Sequence, residues 1–139
     1  MDRVSASARS RMMSRIRGKD TQPELVVRKY LHAAGLRYRL HVSTLPGKPD
    51  IVLVRRRICV FVHGCFWHSC SKCADGRHIP ISNRSYWESK LQRNKLRDRL
   101  HLRNLRDARW KVLIIWECEI SNIHYLEKLR REILKRHVT

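Results

Sequence analysis

The sequence is short of acidic residues. Its 139 residues contain 12 Asp and Glu against 31 Lys and Arg, which gives a formal charge of +19. A surface that only keeps a protein soluble mixes both signs, so this imbalance indicates a polyanionic partner, and nucleic acid is the first candidate. A membrane surface or an acidic protein is the alternative. Arg supplies most of the excess, and its planar guanidinium donates two parallel hydrogen bonds to a phosphate.

Other features are missing as well. No apolar run approaches the about 18 to 20 residues that a membrane-spanning helix needs, and no charged-then-apolar leader opens the chain. We therefore expect an intracellular protein without a membrane partner. Because no internal repeat and no linker rich in Pro, Gly or Ser divides the sequence, we expect a single domain over residues 1–139.

The pattern of apolar and polar residues predicts elements in the order α-β-β-β-α-β-α. Thr21 and Glu24 have the spacing of a capping box with Pro23 in the first turn, so a helix is expected from about Gln22 to Gly35. Further predictions are strands at 37–42, 50–54 and 57–62, one long or broken helix at 83–108, a buried strand at 110–116 and a helix at 122–137. This order predicts an α/β or α+β protein with a mixed central sheet flanked by helices. Residues 1–19 form a basic arm, which we expect to become ordered only on DNA.

Chemically active residues are densest at 63–73, directly after the apolar stretch 58–62. These eleven residues include two His, three Cys and the adjacent rings of Phe66 and Trp67. A buried core has little use for this mixture, whereas metal binding, proton transfer and insertion into a stacked ligand each need part of it. We therefore predict that this segment is a functional centre.

The cysteines predict a metal site. In a reducing compartment, five cysteines with three inside nine residues favour metal ligation over disulfides. The predicted zinc ligands are Cys65, Cys70, Cys73 and the distant Cys118. Zinc with four protein ligands has no open position, so its role would be structural. In the alternative, His68 or His78 replaces one Cys, while Cys59 is interpreted as a small buried apolar residue.

A second candidate centre begins at Pro49 and Asp50, which precede an apolar strand. A carboxylate at the entrance of a strand can face a cleft while the following side chains fill the core, although Pro and Asp are also common turn residues. Glu24 on the preceding helix can bring a second carboxylate, and Mg²⁺ is often held by one or two carboxylates. The alternative role of Glu24 is that of the capping-box acid.

These features together resemble a known family. The helix Glu, the Pro-Asp pair and the next strand follow one another as in PD-(D/E)xK nucleases, but the strand ending at Val62 lacks the acid and Lys of that motif. With His-Gly-Cys-Phe-Trp-His at 63–68 and Trp-Glu-Cys at 116–118, residues 14–119 resemble the very-short-patch-repair (Vsr) endonucleases. The resemblance implies a restriction-endonuclease-like fold and a monomeric, Mg²⁺-dependent enzyme of the bacterial cytoplasm, associated with the nucleoid when bound to DNA. Such an enzyme nicks one strand of duplex DNA beside a T:G mismatch left by deamination of 5-methylcytosine.

The resemblance also implies roles for individual residues. Asp50 would be the main Mg²⁺ ligand, with the backbone carbonyl of Val62, where the family has Thr, and with Glu24 in support. His68 would be the general base, since neutral imidazole accepts a proton near physiological pH. His63 would contact the phosphate or metal-bound water. The alternatives for both histidines are zinc ligation and a polar position on the surface without a role.

DNA contacts are implied in the same way. Phe66, Trp67 and Trp87 would enter the base stack beside the mismatch, where stacking and bending offset the cost of unstacking. Residues 84–111 contain ten Lys and Arg against three acids, which suits phosphates. The remaining implied residues are Lys90 and Asn94 on the long helix, Met13 in the arm, and Asp98 as the group that orients a catalytic His. A core position for Trp87 and a solvated face for Lys90 are the alternatives.

Two other functions explain part of the sequence. A non-catalytic zinc module that binds nucleic acid explains the charge and the cysteines but leaves Asp50 and both histidines without a role. A structure-selective nuclease of the same fold explains the carboxylates but not the pair Phe66 and Trp67. The partners that the resemblance implies are duplex DNA with a T:G mismatch and, after the nick, mismatch-repair proteins and a DNA polymerase.

Overall fold

The computed structural model describes residues 20–135, so the predicted arm at 1–19 with Met13, and the end of the last predicted helix, lie outside the described residues. The helices are α1 (Gln22–Ala33), α2 (Ala74–Arg77), α3 (Arg84–Asp107) and α4 (Ile123–Leu134), and the strands are β1 (Arg39–Leu40), β2 (Ile51–Leu53), β3 (Ile58–His63) and β4 (Lys111–Trp116). The predicted α+β architecture is confirmed, with the one-turn helix α2 as an addition.

Helix α1 begins where the capping signal predicts. The Thr21 hydroxyl accepts a hydrogen bond from the backbone N–H of Glu24 at 3.4 Å, and Pro23 stands in the first turn. The buried residues Glu24, Val27 and Leu31 recur at helical spacing and face the sheet. Glu24 is therefore an acidic group on the buried face of the helix, and its carboxylate accepts the backbone N–H of Asp20 at 3.2 Å.

The sheet is mixed, in the order β1-β2-β3-β4. Strands β1 to β3 form the predicted antiparallel meander, and β4 lies parallel to β3 after the crossover through α3. All six residues of β3 are buried because both faces of the sheet are covered. Alternate residues Ile58, Val60 and Val62 pack with α1 and α4, whereas Cys59 and Phe61 pack toward Leu105 of α3.

Two strands differ from the predictions. Strand β1 has only two residues, both exposed, instead of the six at 37–42. It ends because His41 adopts a left-handed backbone with φ of 47°. The strand at 110–116 was predicted to be buried, but in β4 only Ile115 is buried, because β4 is the last strand of the sheet in the described residues.

One edge of the sheet collects the chemically active residues. Strands β3 and β4 run in parallel and end together, with His63 beside Trp116. Strand β2 runs the opposite way, so Asp50, just before its first residue, lies at this same edge. No helix among residues 20–135 is both long and apolar enough to cross a bilayer.

Candidate active site and cysteine cluster

An open cleft of about 850 Å³ lies at this edge of the sheet. Its lining includes Glu24, Asp50, His63, His68 and Asp98. The sequence predicted each of these five as a catalytic or supporting residue, although they come from α1, the start of β2, the end of β3, the following loop and α3. The fold therefore brings the predicted acid and base groups into one place.

Asp50 is tied to the next strand and lies close to a second acid. Its Oδ2 accepts the backbone N–H of Val62 at 2.8 Å. Burial raises the pKa of Asp50 to about 6, and the neighbouring Glu24 carboxylate raises it as well. Two carboxyl groups this close resist joint ionisation, which a divalent cation would relieve. This donor set fits Mg²⁺, which prefers carboxylate oxygens and keeps several of its waters.

Glu24 is held by partners that the sequence analysis did not identify. Its Oε2 lies 3.0 Å from the Arg28 guanidinium and 2.9 Å from His41 Nε2. The pair Glu24 and Arg28 could have been found, because an acid and a base four residues apart on a helix are neighbours. His41 is distant in sequence and gave no such signal.

The two predicted catalytic histidines stack on each other. The ring centroids of His63 and His68 are 3.8 Å apart with 4° between the planes. His68 Nδ1 lies 2.6 Å from Asp98 Oδ2, so the carboxylate orients the ring and leaves Nε2 for another partner. Burial and the neighbouring His68 lower the pKa of His63 to about 3, so His63 is neutral at physiological pH. Its Nδ1 is buried without a hydrogen-bond partner in the described part of the chain, as expected of a group that completes its contacts with a ligand.

The four predicted zinc ligands also come together. The Sγ atoms of Cys65, Cys70, Cys73 and Cys118 all lie within 4.8 Å of one another. The distance between Cys70 Sγ and Cys118 Sγ is 3.9 Å, and tetrahedral zinc with Zn–S bonds of about 2.3 Å needs about 3.8 Å. Neither His68 nor His78 is among the residues that meet at these four sulfur atoms. His68 lies instead with His63 and Asp98. The cysteine cluster can therefore hold a metal ion with four sulfur ligands.

The backbone closes around the cysteine cluster. The backbone N–H of Cys118 donates to Cys65 Sγ at 3.3 Å, and that of Lys72 donates to Cys70 Sγ at 3.4 Å. A Cβ added to Gly76 would lie 2.1 Å from the Cys70 carbonyl oxygen, so helix α2 packs tightly on this segment. Burial raises the pKa of the Cys65 thiol, which makes its thiolate unfavourable without a bound cation.

An aromatic cluster lies beside the cleft. The rings of Phe66, Trp67 and Trp87 are half-buried, with centroids 5.1 to 5.9 Å apart. Exposed Tyr86, which the sequence analysis did not single out, packs on Trp87 at 5.1 Å. The Asn94 amide donates to the Trp67 carbonyl at 3.1 Å and so ties the aromatic loop to α3. The implied contact of Asn94 with DNA stays a prediction.

Cations surround the mouth of the cleft. They are Lys48 near Asp50, and Lys90, Arg93 and Arg97 along α3. The last three recur at helical spacing, so α3 directs them to one side. The arrangement gives a polyanionic backbone a path between the aromatic cluster and the carboxyl pair.

Comparison with known proteins gives consistent matches. The family model of the DNA mismatch endonuclease Vsr matches residues 1–74. The chain is 44% identical over 133 residues to the type II nicking enzyme V.XorIIP of Xanthomonas oryzae pv. oryzae, and this match covers 96% of each chain. It is 42% identical over 139 residues to the type II nicking enzyme V.NmeAIP of Neisseria meningitidis, covering 99% of this chain and 94% of the relative. It is 36% identical over 128 residues to the DNA mismatch endonuclease Vsr of Escherichia coli K12, covering 92% of this chain and 79% of the relative.

Proposed function

The chain belongs to the family of the DNA mismatch endonuclease Vsr, and from this membership we propose that it nicks one strand of duplex DNA beside a T:G mismatch. The nick would begin the repair of deaminated 5-methylcytosine. One observation carries this proposal, namely that a carboxyl pair and a histidine pair share one cleft beside an aromatic cluster. The relatives named as nicking enzymes support cleavage of one strand, and the relative named as a mismatch endonuclease supports a mispair as the target.

Asp50 and the backbone carbonyl of Val62 would hold Mg²⁺, with Glu24 in support. When bound, Mg²⁺ supplies charge that polarises the scissile phosphate and stabilises the leaving oxygen. Val62 lines the cleft with both acids, and its own N–H fixes the Asp50 carboxyl. The protein therefore sets the position of the acidic oxygens before a substrate arrives.

His68 would act as the general base. Asp98 accepts from Nδ1, so Nε2 is the nitrogen that can take a proton from the attacking water. Asp98 then stabilises the imidazolium that forms. His63 remains neutral beneath His68, so it can contact the phosphate through a hydrogen bond without adding a second positive charge to the stack.

The cysteine cluster would bind one structural zinc ion. Cys65 and Cys70 flank His68, and Cys118 follows β4 directly. Zinc at these sulfurs would fasten the loop that carries the general base to the end of the sheet. Phe66, Trp67 and Trp87 would enter the base stack, and Lys90 and Asn94 would contact DNA. We further propose that the enzyme acts as a monomer in the cytoplasm, followed by mismatch-repair proteins and a DNA polymerase.

A panel of duplexes tests the proposed function. Purified zinc-loaded protein is mixed with Mg²⁺ and with T:G duplexes of varied flanking sequence, matched duplexes and four-way junctions. We expect one nick, in one strand, on T:G duplexes and little cleavage of the others. Preference for junctions would support a structure-selective nuclease instead. Binding without any Mg²⁺-dependent nick would support a non-catalytic zinc module.

A further inference from the structure

His41 connects the two carboxyl groups of the cleft. Its backbone N–H donates to the backbone carbonyl of Asp50 at 3.1 Å, through the pairing of β1 with β2. Its Nε2 lies 2.9 Å from Glu24 Oε2, and because a carboxylate only accepts hydrogen bonds, the imidazole nitrogen is the donor. One residue thus fixes the chain at Asp50 and the side chain of Glu24.

The backbone of His41 is held in an uncommon conformation. Its φ of 47° lies in the left-handed region, which a residue with a large side chain seldom adopts. The side chain is only 12% exposed. A largely enclosed polar ring on a strained backbone indicates that the surrounding structure fixes its position, and such positions cluster at functional sites.

The donors to Glu24 all meet one oxygen. Besides His41, the backbone N–H of Asp20 at 3.2 Å and the Arg28 guanidinium at 3.0 Å reach Oε2. None of these three donors reaches Oε1, and the Asp50 carboxyl lies within hydrogen-bonding reach of the Glu24 side chain. Since a carboxylate turns about one bond, fixing Oε2 also fixes the direction of Oε1.

We propose that His41 is a positioning residue that holds the Glu24 carboxylate beside Asp50, so that the two acids bind a divalent cation with preset spacing. The inference rests on the Mg²⁺ site of the proposed function. Groups that orient the ligands of a metal typically change its affinity by about 10- to 100-fold when they are replaced. His41 lies with Asp20 and Glu24 in a group whose ligand atoms are all within 4.8 Å of one another, but its Nε2 donates to Glu24 and is therefore not the atom that binds the cation.

The choice of variants follows from the backbone. Asn tolerates the left-handed region better than other residues with side chains, so His41→Asn should fold, yet its shorter amide does not reach Glu24. His41→Gln extends an amide N–H to about the position of Nε2 and serves as the rescue. His124→Asn, at an exposed position of α4, is the matched control.

The main measurement is the affinity of the zinc-loaded protein for Mn²⁺ in the absence of DNA. The electron paramagnetic resonance signal of free Mn²⁺ reports how much of the ion is bound. We expect His41→Asn to raise the Kd about 10- to 100-fold, His41→Gln to recover most of the affinity, and His124→Asn to leave it unchanged. In nicking assays His41→Asn should need more Mg²⁺ but approach the parent rate at saturation. Circular dichroism confirms that each variant is folded.

The outcomes separate this inference from the proposed function. A folded His41→Asn with the parent's Mn²⁺ Kd would overturn the positioning role. The same holds if His41→Gln binds Mn²⁺ as weakly as His41→Asn. A parent protein that binds Mn²⁺ through Asp50 but does not nick T:G duplexes would overturn the proposed function and leave the positioning role standing.

Discussion

The cysteine cluster and the catalytic cleft are neighbours, but they differ in how far the protein satisfies its own polar groups. The cluster brings four sulfur atoms within 4.8 Å of one another, and backbone N–H groups donate to the sulfurs of Cys65 and Cys70. The cleft places two acids together and leaves the buried Nδ1 of His63 without a partner in the described residues. A complete ligand set has no room for a substrate, whereas an incomplete one does. We therefore expect changes in the cluster to act on stability and changes in the cleft to act on chemistry.

Changes in the cleft should leave the cysteine cluster intact, whereas changes in the cluster should also affect the cleft. Cys65 and Cys70 lie on either side of His68, so the position of this proposed general base should depend on the cluster. The cleft acids, in contrast, come from α1 and the start of β2 and have no contact with the sulfur atoms among the interactions of the described chain. Loss of metal from the cluster should reduce cleavage as a secondary effect, whereas loss of a cleft acid should leave zinc in place.

The largest expected effect is that of Asp50→Asn on cleavage. The amide keeps the shape and can still accept the Val62 N–H, but it removes the charge that holds the cation. Because metal stabilisation of the transition state amounts to several kcal/mol, we expect the nicking rate to fall about 1,000-fold or more. Single-turnover nicking of a T:G duplex measures this rate. The affinity for mismatched DNA and the zinc content should stay unchanged. Asp107→Asn at the exposed end of α3 is the control, and near-parent cleavage by Asp50→Asn would remove Asp50 from the metal site.

The next effect concerns stability. Cys118→Ala should lower the zinc content from about one per chain and reduce the free energy of unfolding by about 3 kcal/mol or more, because structural zinc contributes directly to folding. Metal analysis and urea unfolding measure the two quantities. Cys59→Ala is the matched control, since Cys59 is buried in the core and remote from the other sulfurs. It should cost some stability but retain zinc, and an unchanged melting temperature after chelation of zinc would contradict a structural role.

Local signals explain which parts of both regions could be predicted. The helix predicted at 83–108 is found at Arg84–Asp107, and the Cys-x2-Cys pair Cys70 and Cys73 lies in the predicted cluster, to which distant Cys118 was assigned without a local signal. The short β1 and the contact between His41 and Glu24 were not predicted. They depend on strand pairing over a long sequence distance and on a left-handed backbone at a residue that is neither Gly nor Asn. The incomplete burial of β4 likewise depends on strand order, which the pattern of one strand does not contain.

A smaller effect of Asp50→Asn concerns stability. The change that should lower activity should also stabilise the fold. The folded-state pKa of Asp50 is about 6, against an ordinary pKa of 3.8, so ionised Asp50 destabilises the fold without Mg²⁺. The penalty is absent below the unfolded-state pKa, grows as the pH rises from there to the folded-state pKa, and then stays constant. Asp50→Asn should therefore be more stable than the parent by about 3 kcal/mol at neutral pH, with a smaller gain near pH 5. Urea unfolding at both pH values without added Mg²⁺ measures the gain, and a gain independent of pH would mean that Asp50 ionises normally.

The smallest effect should be found at the aromatic cluster, which belongs neither to the cysteine cluster nor to the acids and histidines of the cleft. Replacing Phe66 and Trp67 together by Ala removes stacking worth about 1 to 3 kcal/mol per base, but matched and mismatched duplexes both lose part of it. Only the difference affects discrimination, so we expect the preference for T:G over matched DNA to fall about 5- to 10-fold, or about 1 kcal/mol. Bending of the duplex should decrease as well.

Salt dependence separates the rings from the cationic path in this double variant. Lys90, Arg93 and Arg97 remain, and the bond from Asn94 to the Trp67 carbonyl does not need the ring. The slope of log affinity against log salt should therefore stay close to that of the parent, because the slope counts phosphate contacts. Tyr125→Ala on α4 controls for loss of an exposed aromatic ring. An unchanged preference for T:G in a folded double variant would assign these rings to packing and leave mismatch recognition to α3.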